Sequence, residues 1–143
     1  MSKIAIVYWS GTGNTEAMAD AVESGAKDAG AEISRFSASE FNSTKASEFD
    51  AIAFGCPAMG AEVLEESEVD PMFTDLEQTS ALVGKKIGLF GSYGWGDGEW
   101  MRNWEERSKA AGALLISEGV ICNEAPDDTA IASCKKLGAD LAN

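Results

Sequence analysis

Ile4-Ala5-Ile6-Val7-Tyr8-Trp9, Ser10-Gly11-Thr12-Gly13-Asn14-Thr15 and Glu16-Ala17-Met18-Ala19-Asp20-Ala21-Val22 follow one another without a break, and this stretch decides the fold. The apolar run reads as a buried strand that turns through two glycines into a helix. Such a turn leaves the first N–H groups of the helix unpaired, where they can hold an anion. Hydroxyls at Ser10, Thr12 and Thr15 add donors to that cup. No Lys or Arg lies between Lys3 and Lys27, so the loop offers a phosphate only neutral groups.

Two familiar nucleotide loops fail here. A Walker A loop needs Lys and then Ser or Thr after its second glycine, to reach the terminal phosphates and Mg²⁺. The dinucleotide pattern G-x-G-x-x-G has Glu16 where its third glycine should allow close helix packing. A terminal phosphate monoester held by neutral donors remains. A tight strand-to-helix turn capped by a hydroxyl would account for the same residues without a ligand.

Downstream, the pattern repeats. Ala17, Met18, Ala21, Val22, Gly25 and Ala29 recur at three- and four-residue spacing, a stripe of small side chains that lets a helix over about 14–29 lie close on a sheet. Strands are expected at 3–9, 31–36, 50–56 and 86–91, with a fifth starting at 113–116 and continued by 120–122. A polar segment with a short helix fills 37–49. Helices are expected from Asp70-Pro71 to before Gly84, from Glu99 to Ala111, and from an Asp127 cap through Leu141. Strands alternating with helices call for a parallel sheet covered on both faces, a three-layer α/β sandwich. Right-handed crossovers leave few windings, and the five-stranded order 2-1-3-4-5 fits. In that order the loops after strands 1 and 3 converge at the switch point, with the loop after strand 4 beside them.

At 143 residues the chain is expected to form one domain, 1–143. No N-terminal stretch resembles a signal peptide and no apolar run approaches the roughly 18 residues of a membrane helix, so the expected location is cytoplasmic. The net charge of −13, from 24 acids against 11 bases, repels nucleic acid and anionic lipid and favours basic protein partners. Between Lys45 and Lys85 there is no base, while Glu62, Glu65, Glu66, Glu68 and Asp70 fall in that interval; a solvated face would explain such acids equally well. The absence of histidine removes Ser-His and Cys-His dyads. Cys56, Cys122 and Cys134 have no metal or disulfide spacing and are expected to be buried thiols. A redox role would require a bound organic cofactor.

The other two loops carry unusual residues for their position. Met59-Gly60 and Trp95 place a thioether and an indole at loop tips, walls suited to a flat heteroaromatic ring. With the phosphate loop, the ligand becomes a planar ring with a phosphate tail. Two surface hydrophobes closing the end of the core are the plain alternative.

Across essentially its whole length the chain resembles the short-chain flavodoxins, particularly the clostridial type. The resemblance rests on Val7 to Glu16, on Ala58-Met59-Gly60 with Glu62 to Glu68, and on Gly91-Ser92-Tyr93-Gly94-Trp95-Gly96-Asp97-Gly98. It implies a flavodoxin-like fold, one noncovalent FMN, and one-electron transfer at low potential, mainly between semiquinone and hydroquinone, to and from partner redox enzymes. By matched position, Ser10, Gly11, Thr12, Gly13, Asn14 and Thr15 would bind the phosphate. Met59 and Trp95 would flank the ring, and Glu62 would accept from its N3–H. Pro57, Ala58 and Gly60 complete the second loop, with the Gly60-Ala61 peptide turned toward N5. Ser92 would lie near the phosphate or ribityl chain, and the backbone of Tyr93, Gly94, Trp95, Gly96 and Asp97 would line the pyrimidine side.

Two positions depart from the family pattern: Ala61 where Asp is frequent, and Pro57 where a small or hydroxylic residue is. Negative charge from Glu62, Glu65, Glu66 and Asp97, with a phosphate lacking a cationic partner, is expected to oppose the second electron. Basic-faced reductases and oxidoreductases are the implied partners of a monomer. A small FMN-dependent NAD(P)H or quinone reductase is the competing reading, and it would need cationic groups that these loops lack. A receiver-like regulatory domain would need a phosphoacceptor Asp where strand 3 ends Gly55-Cys56-Pro57.

Overall fold

The computed structural model describes residues 2–11, 13–59, 63–94 and 96–143. Strands β1 (Lys3–Tyr8), β2 (Glu32–Ser37), β3 (Ala51–Gly55), β4 (Lys86–Tyr93), β5 (Leu114–Leu115) and β6 (Val120–Asn123) alternate with helices α1 (Asn14–Asp28), α2 (Ser43–Ala46), α3 (Val69–Gln78), α4 (Glu99–Ala110) and α5 (Asp128–Ala142). All strand pairs are parallel, in the order β2-β1-β3-β4-β5, with β6 also paired to β4. This is the expected 2-1-3-4-5 winding, with the fifth strand in two pieces. After Ile116 N–H donates to Ile87 O at 3.1 Å, the chain leaves the ladder and rejoins it at Val120.

Both faces of the sheet are buried, so the strands read as continuous apolar runs while their side chains still alternate. Ile4 and Ile6 of β1, with Ala51 and Ala53 of β3, pack on Met18, Val22, Cys134 and Leu137 from α1 and α5. Ala5 and Val7, with Ile52 and Phe54, pack on Phe73, Leu76, Trp100 and Trp104 from α3 and α4. Two core layers result, one on each side of the sheet.

The small stripe on α1 has a specific use. A Cβ at Gly25 would lie 2.0 Å from Lys135 O, and one at Gly138 would lie 2.0 Å from Val22 O. α1 and α5 therefore meet backbone to backbone, each through a glycine. Cys56, Cys122 and Cys134 are buried free thiols, as expected. The Asp127 cap is also present, its carboxylate accepting from Ala130 N–H at 2.8 Å.

Two local differences affect the site. β4 runs on through Ser92 and Tyr93, which the glycines that follow mark as loop; pairing with Cys122 and Asn123 of β6 draws them into the sheet. The N-cap of α1 is Gly13, at a left-handed φ of 94°, and not a hydroxyl residue.

Candidate functional site

The registers Tyr8↔Gly55 and Tyr93↔Asn123 bring the carboxyl ends of β1, β3, β4 and β6 to the same edge of the sheet. A cleft of about 260 Å³ opens there. Trp9, Gly11 and Asn14 line it from the loop after β1, and Pro57, Ala58 and Met59 from the loop after β3. Ser92, Tyr93 and Gly94 line it from the end of β4, and Glu124 from the chain beyond β6. Eight of the expected site residues thus border one cleft at the switch point, where open α/β sheets place their ligands. Thr12, Gly60, Ala61, Glu62 and Trp95 lie outside the described residues.

The first loop has a division of labour among its hydroxyls. Ser10 Oγ accepts from Gly13 N–H at 3.0 Å and from Glu16 N–H at 3.3 Å. The hydroxyl cap considered for this turn is therefore real, but it comes from three residues before the N-cap. With both lone pairs engaged, Ser10 has its O–H hydrogen left to donate outward. Thr15 is 1% exposed, and its Oγ1 has no hydrogen-bond partner among the described residues. A buried hydroxyl without a partner costs free energy, so this orphan at the start of a 15-residue helix marks a place for an acceptor. The Trp9 indole lies under Gly11, where a Cβ would approach its ring to 3.1 Å.

In the second loop Met59 and Val63 form an antiparallel bridge. Met59 N–H donates to Val63 O at 3.0 Å and Val63 N–H to Met59 O at 3.1 Å. Ala58 N–H donates to Ser92 O at 3.0 Å, which ties this loop to β4. The third loop is held from two sides. Asn123 Nδ2 donates to Tyr93 O at 3.2 Å, and Arg102 donates to Asp97 O and Oδ1, each at 3.1 Å.

The electrostatics differ from the sequence expectation at two acids. Glu65 does not project into solvent: it is 6% exposed, and its carboxylate accepts from the backbone of Ser67, Glu68 and Val69. Burial opposes its charged form, but the hydrogen bonds from Ser67, Val69 and Glu68 outweigh it and hold the carboxyl below the usual range. Asp97 is exposed and shares its charge with Arg102, so a cation reaches this loop from α4. Ser10, Gly13, Thr15, Gly96 and Asp97 do not border the cleft itself; the first three build the loop behind it.

Two lining residues have no site role in the sequence reading. Trp9 stands inside the quoted motif but is indistinguishable there from the end of a buried strand. Glu124 follows the last strand, at a φ of 59° that is uncommon for a side chain of this kind. The rule that ligands sit beyond strand carboxyl ends covers the loop after the fifth strand too, and applying it there would have found Glu124.

Comparisons with known proteins point to the same chemistry. The Flavodoxin family model matches residues 6–138. The chain is 50% identical to the flavodoxin of Megasphaera elsdenii over 135 residues, spanning 94% of this chain and 95% of that one. It is 43% identical to the flavodoxin of Clostridium beijerinckii over 138 residues, spanning 96% and 98%. The solution structure of the two-electron reduced Megasphaera elsdenii flavodoxin matches with a TM-score of 0.89, over 97% of this chain and 98% of that chain. The chain therefore belongs to the flavodoxin family, in its short-chain clostridial form, and is an electron-transfer protein that works with noncovalently bound FMN and passes electrons among redox partners.

Proposed function

We propose that residues 1–143 form one domain acting as a low-potential one-electron carrier, with FMN seated in the cleft between the loops after β1, β3 and β4. The observation that carries this reading is the convergence of those loops beside a buried Thr15 hydroxyl that has no partner among the described residues. A phosphate would satisfy that hydroxyl, the Ser10 O–H and the amides at the start of α1, so the residues present fit FMN. When bound, FMN supplies reversible one-electron oxidation and reduction.

The chain's own residues bind and orient it. Ser10, Thr12, Asn14 and Thr15, with the backbone of Gly11 and Gly13, take the phosphate. Met59 and Trp95 would take the ring faces, Glu62 would accept from N3–H, and the Gly60-Ala61 peptide would serve N5. Ser92 and the backbone from Tyr93 to Asp97 take the remaining polar edge. Trp9, Pro57 and Tyr93 exclude water. Glu124, bordering the cleft, adds negative charge that disfavours electron uptake.

The net charge of −13 supports basic-faced redox partners and a monomer kept apart from its copies by repulsion. Among the described residues no helix is long and apolar enough to cross a membrane, in keeping with a cytoplasmic location. The deciding experiment titrates the apoprotein with FMN and then measures both one-electron midpoint potentials. One FMN per chain, with the lower midpoint below that of free FMN, is expected. No uptake, or a lower midpoint equal to that of free FMN, overturns the reading. Electron transfer to a basic reductase should slow as salt is raised above about 0.1 M, where the screening length is about 10 Å.

A further inference from the structure

We propose that Glu65 is a positioning residue that fastens the Met59–Val63 bridge to the rest of the fold, and through it sets the affinity and potential of FMN. This rests on the FMN reading above. Every polar group of Glu65 is engaged. Its N–H donates to Cys56 Sγ at 3.4 Å, and its C=O accepts from Asp70 N–H at 2.9 Å. Its carboxylate accepts from Ser67 N–H at 2.8 Å, Glu68 N–H at 2.7 Å, Val69 N–H at 3.1 Å and the Ser67 hydroxyl.

The two chain segments that flank residues 60–62 are thus joined by two rungs. The upper one is the pair of Met59–Val63 hydrogen bonds, and the lower one joins Cys56 to Glu65. Cys56 is suited to its half, because burial pushes its thiol up to about 12. It therefore keeps its proton, donates to Pro57 O at 3.3 Å, and still accepts from Glu65 N–H.

The links close on themselves. Val69 and Asp70 begin α3, Asp70 pairs with Arg107 of α4 at 3.0 Å, and Trp100 of the same α4 donates its indole N–H to Cys56 O at 3.1 Å. A circuit of hydrogen bonds and one ion pair runs from Glu65 through α3 and α4 and back to Cys56, just past the end of β3. Glu65 is where the Met59–Val63 bridge is joined to the start of α3. Replacing its carboxylate with an amide puts an N–H₂ group among N–H donors, so contacts are lost without a change of size.

The test compares the FMN forms of wild type, Glu65→Gln and Glu40→Gln. Glu40 makes the same kind of cap, accepting from Ser37 N–H at 3.0 Å, but at the start of the short helical turn after β2. FMN dissociation constants, both midpoint potentials and the urea midpoint of the apoprotein are measured. Glu65→Gln should weaken FMN binding about ten-fold and move the first midpoint potential, while Glu40→Gln leaves both at wild-type values. Should Glu65→Gln fail to fold, Ser67→Ala and Cys56→Ala each remove one partner of Glu65 and should weaken FMN binding about three-fold. Wild-type affinity and potentials in folded Glu65→Gln, or in both of the partner variants, overturn the proposal. An equal loss in Glu40→Gln overturns it too, because the effect would then be general stability. If wild type itself takes up no FMN, the carrier reading fails and not the role of Glu65 alone.

Discussion

Ser10 and Thr15 look interchangeable in a sequence, yet the fold gives their hydroxyls opposite situations. Ser10 serves its own loop first, accepting from Gly13 and Glu16, while Thr15 is buried with no hydrogen-bond partner among the described residues. Thr15→Val keeps the β-branched shape and removes only the orphan. The apoprotein should become more stable, by up to about 1 kcal/mol, because an unsatisfied buried hydroxyl is deleted. FMN binding should weaken by about ten-fold, the equivalent of about 1.4 kcal/mol lost with a charge-assisted hydrogen bond. Urea unfolding of the apoprotein and a fluorescence titration read the two effects, and unchanged FMN affinity would remove Thr15 from the phosphate site. Ser10→Ala should instead harm both, losing about 1 kcal/mol of loop capping along with its donor. The kinds of side chain at the site were legible in sequence, because hydroxyls at a strand-to-helix turn and apolar residues at loop tips are unusual. Their individual roles were not, because those depend on which N–H each oxygen meets.

At the level of elements, the alternation of strands and helices follows from hydrophobic patterning, and the position of the switch point from that alternation together with the right-handed crossover rule. The split of the fifth strand was visible as two apolar fragments around Ser117-Glu118-Gly119. The extension of β4 was hidden, because only pairing with β6 makes Ser92 and Tyr93 a strand. The α1 stripe was legible as a packing face, but its partner was not: the sequence does not say that Gly25 meets α5, or that Gly138 returns the contact. Gly138→Ala should cost about 1–3 kcal/mol, since the intruding methyl meets the Val22 carbonyl, which cannot rotate away as a side chain would. A lower urea midpoint with unchanged FMN affinity in the folded protein is the expected outcome, as this contact lies on the helices and not in the cleft loops.

For the molecule as a whole, titration sets a window of stability. Glu65 has a folded pKa below its ordinary value of 4.5, so its contribution is present above about pH 4.5 and is lost as pH falls through the folded value. The buried thiols act at the other end. Cys56 and Cys134 are both pushed up by burial, from 9.0 to about 12, so their contribution is full below pH 9 and drains away as pH rises toward 12. Apoprotein stability should therefore be flat in between and fall on both sides, and Cys134→Ala should make the alkaline fall shallower in urea melts taken from pH 7 to 11. The acidic character that dominates the composition was legible from the start. That Glu65 turns inward was not, because its donors are the backbone N–H groups of Ser67 and Glu68, in the turn that leads into α3, and of Val69, its first residue, and only the folded turn aims them at one carboxylate. The broken fifth strand has one more effect. One border of the sheet is β2, which carries Arg35 bound to Asp20 and Glu23; the other is interrupted between Leu115 and Val120. A charged, ion-paired side chain on one margin and a break in the other both disfavour the docking of a foreign strand, so growth of aggregates by strand addition is discouraged while the fold is intact.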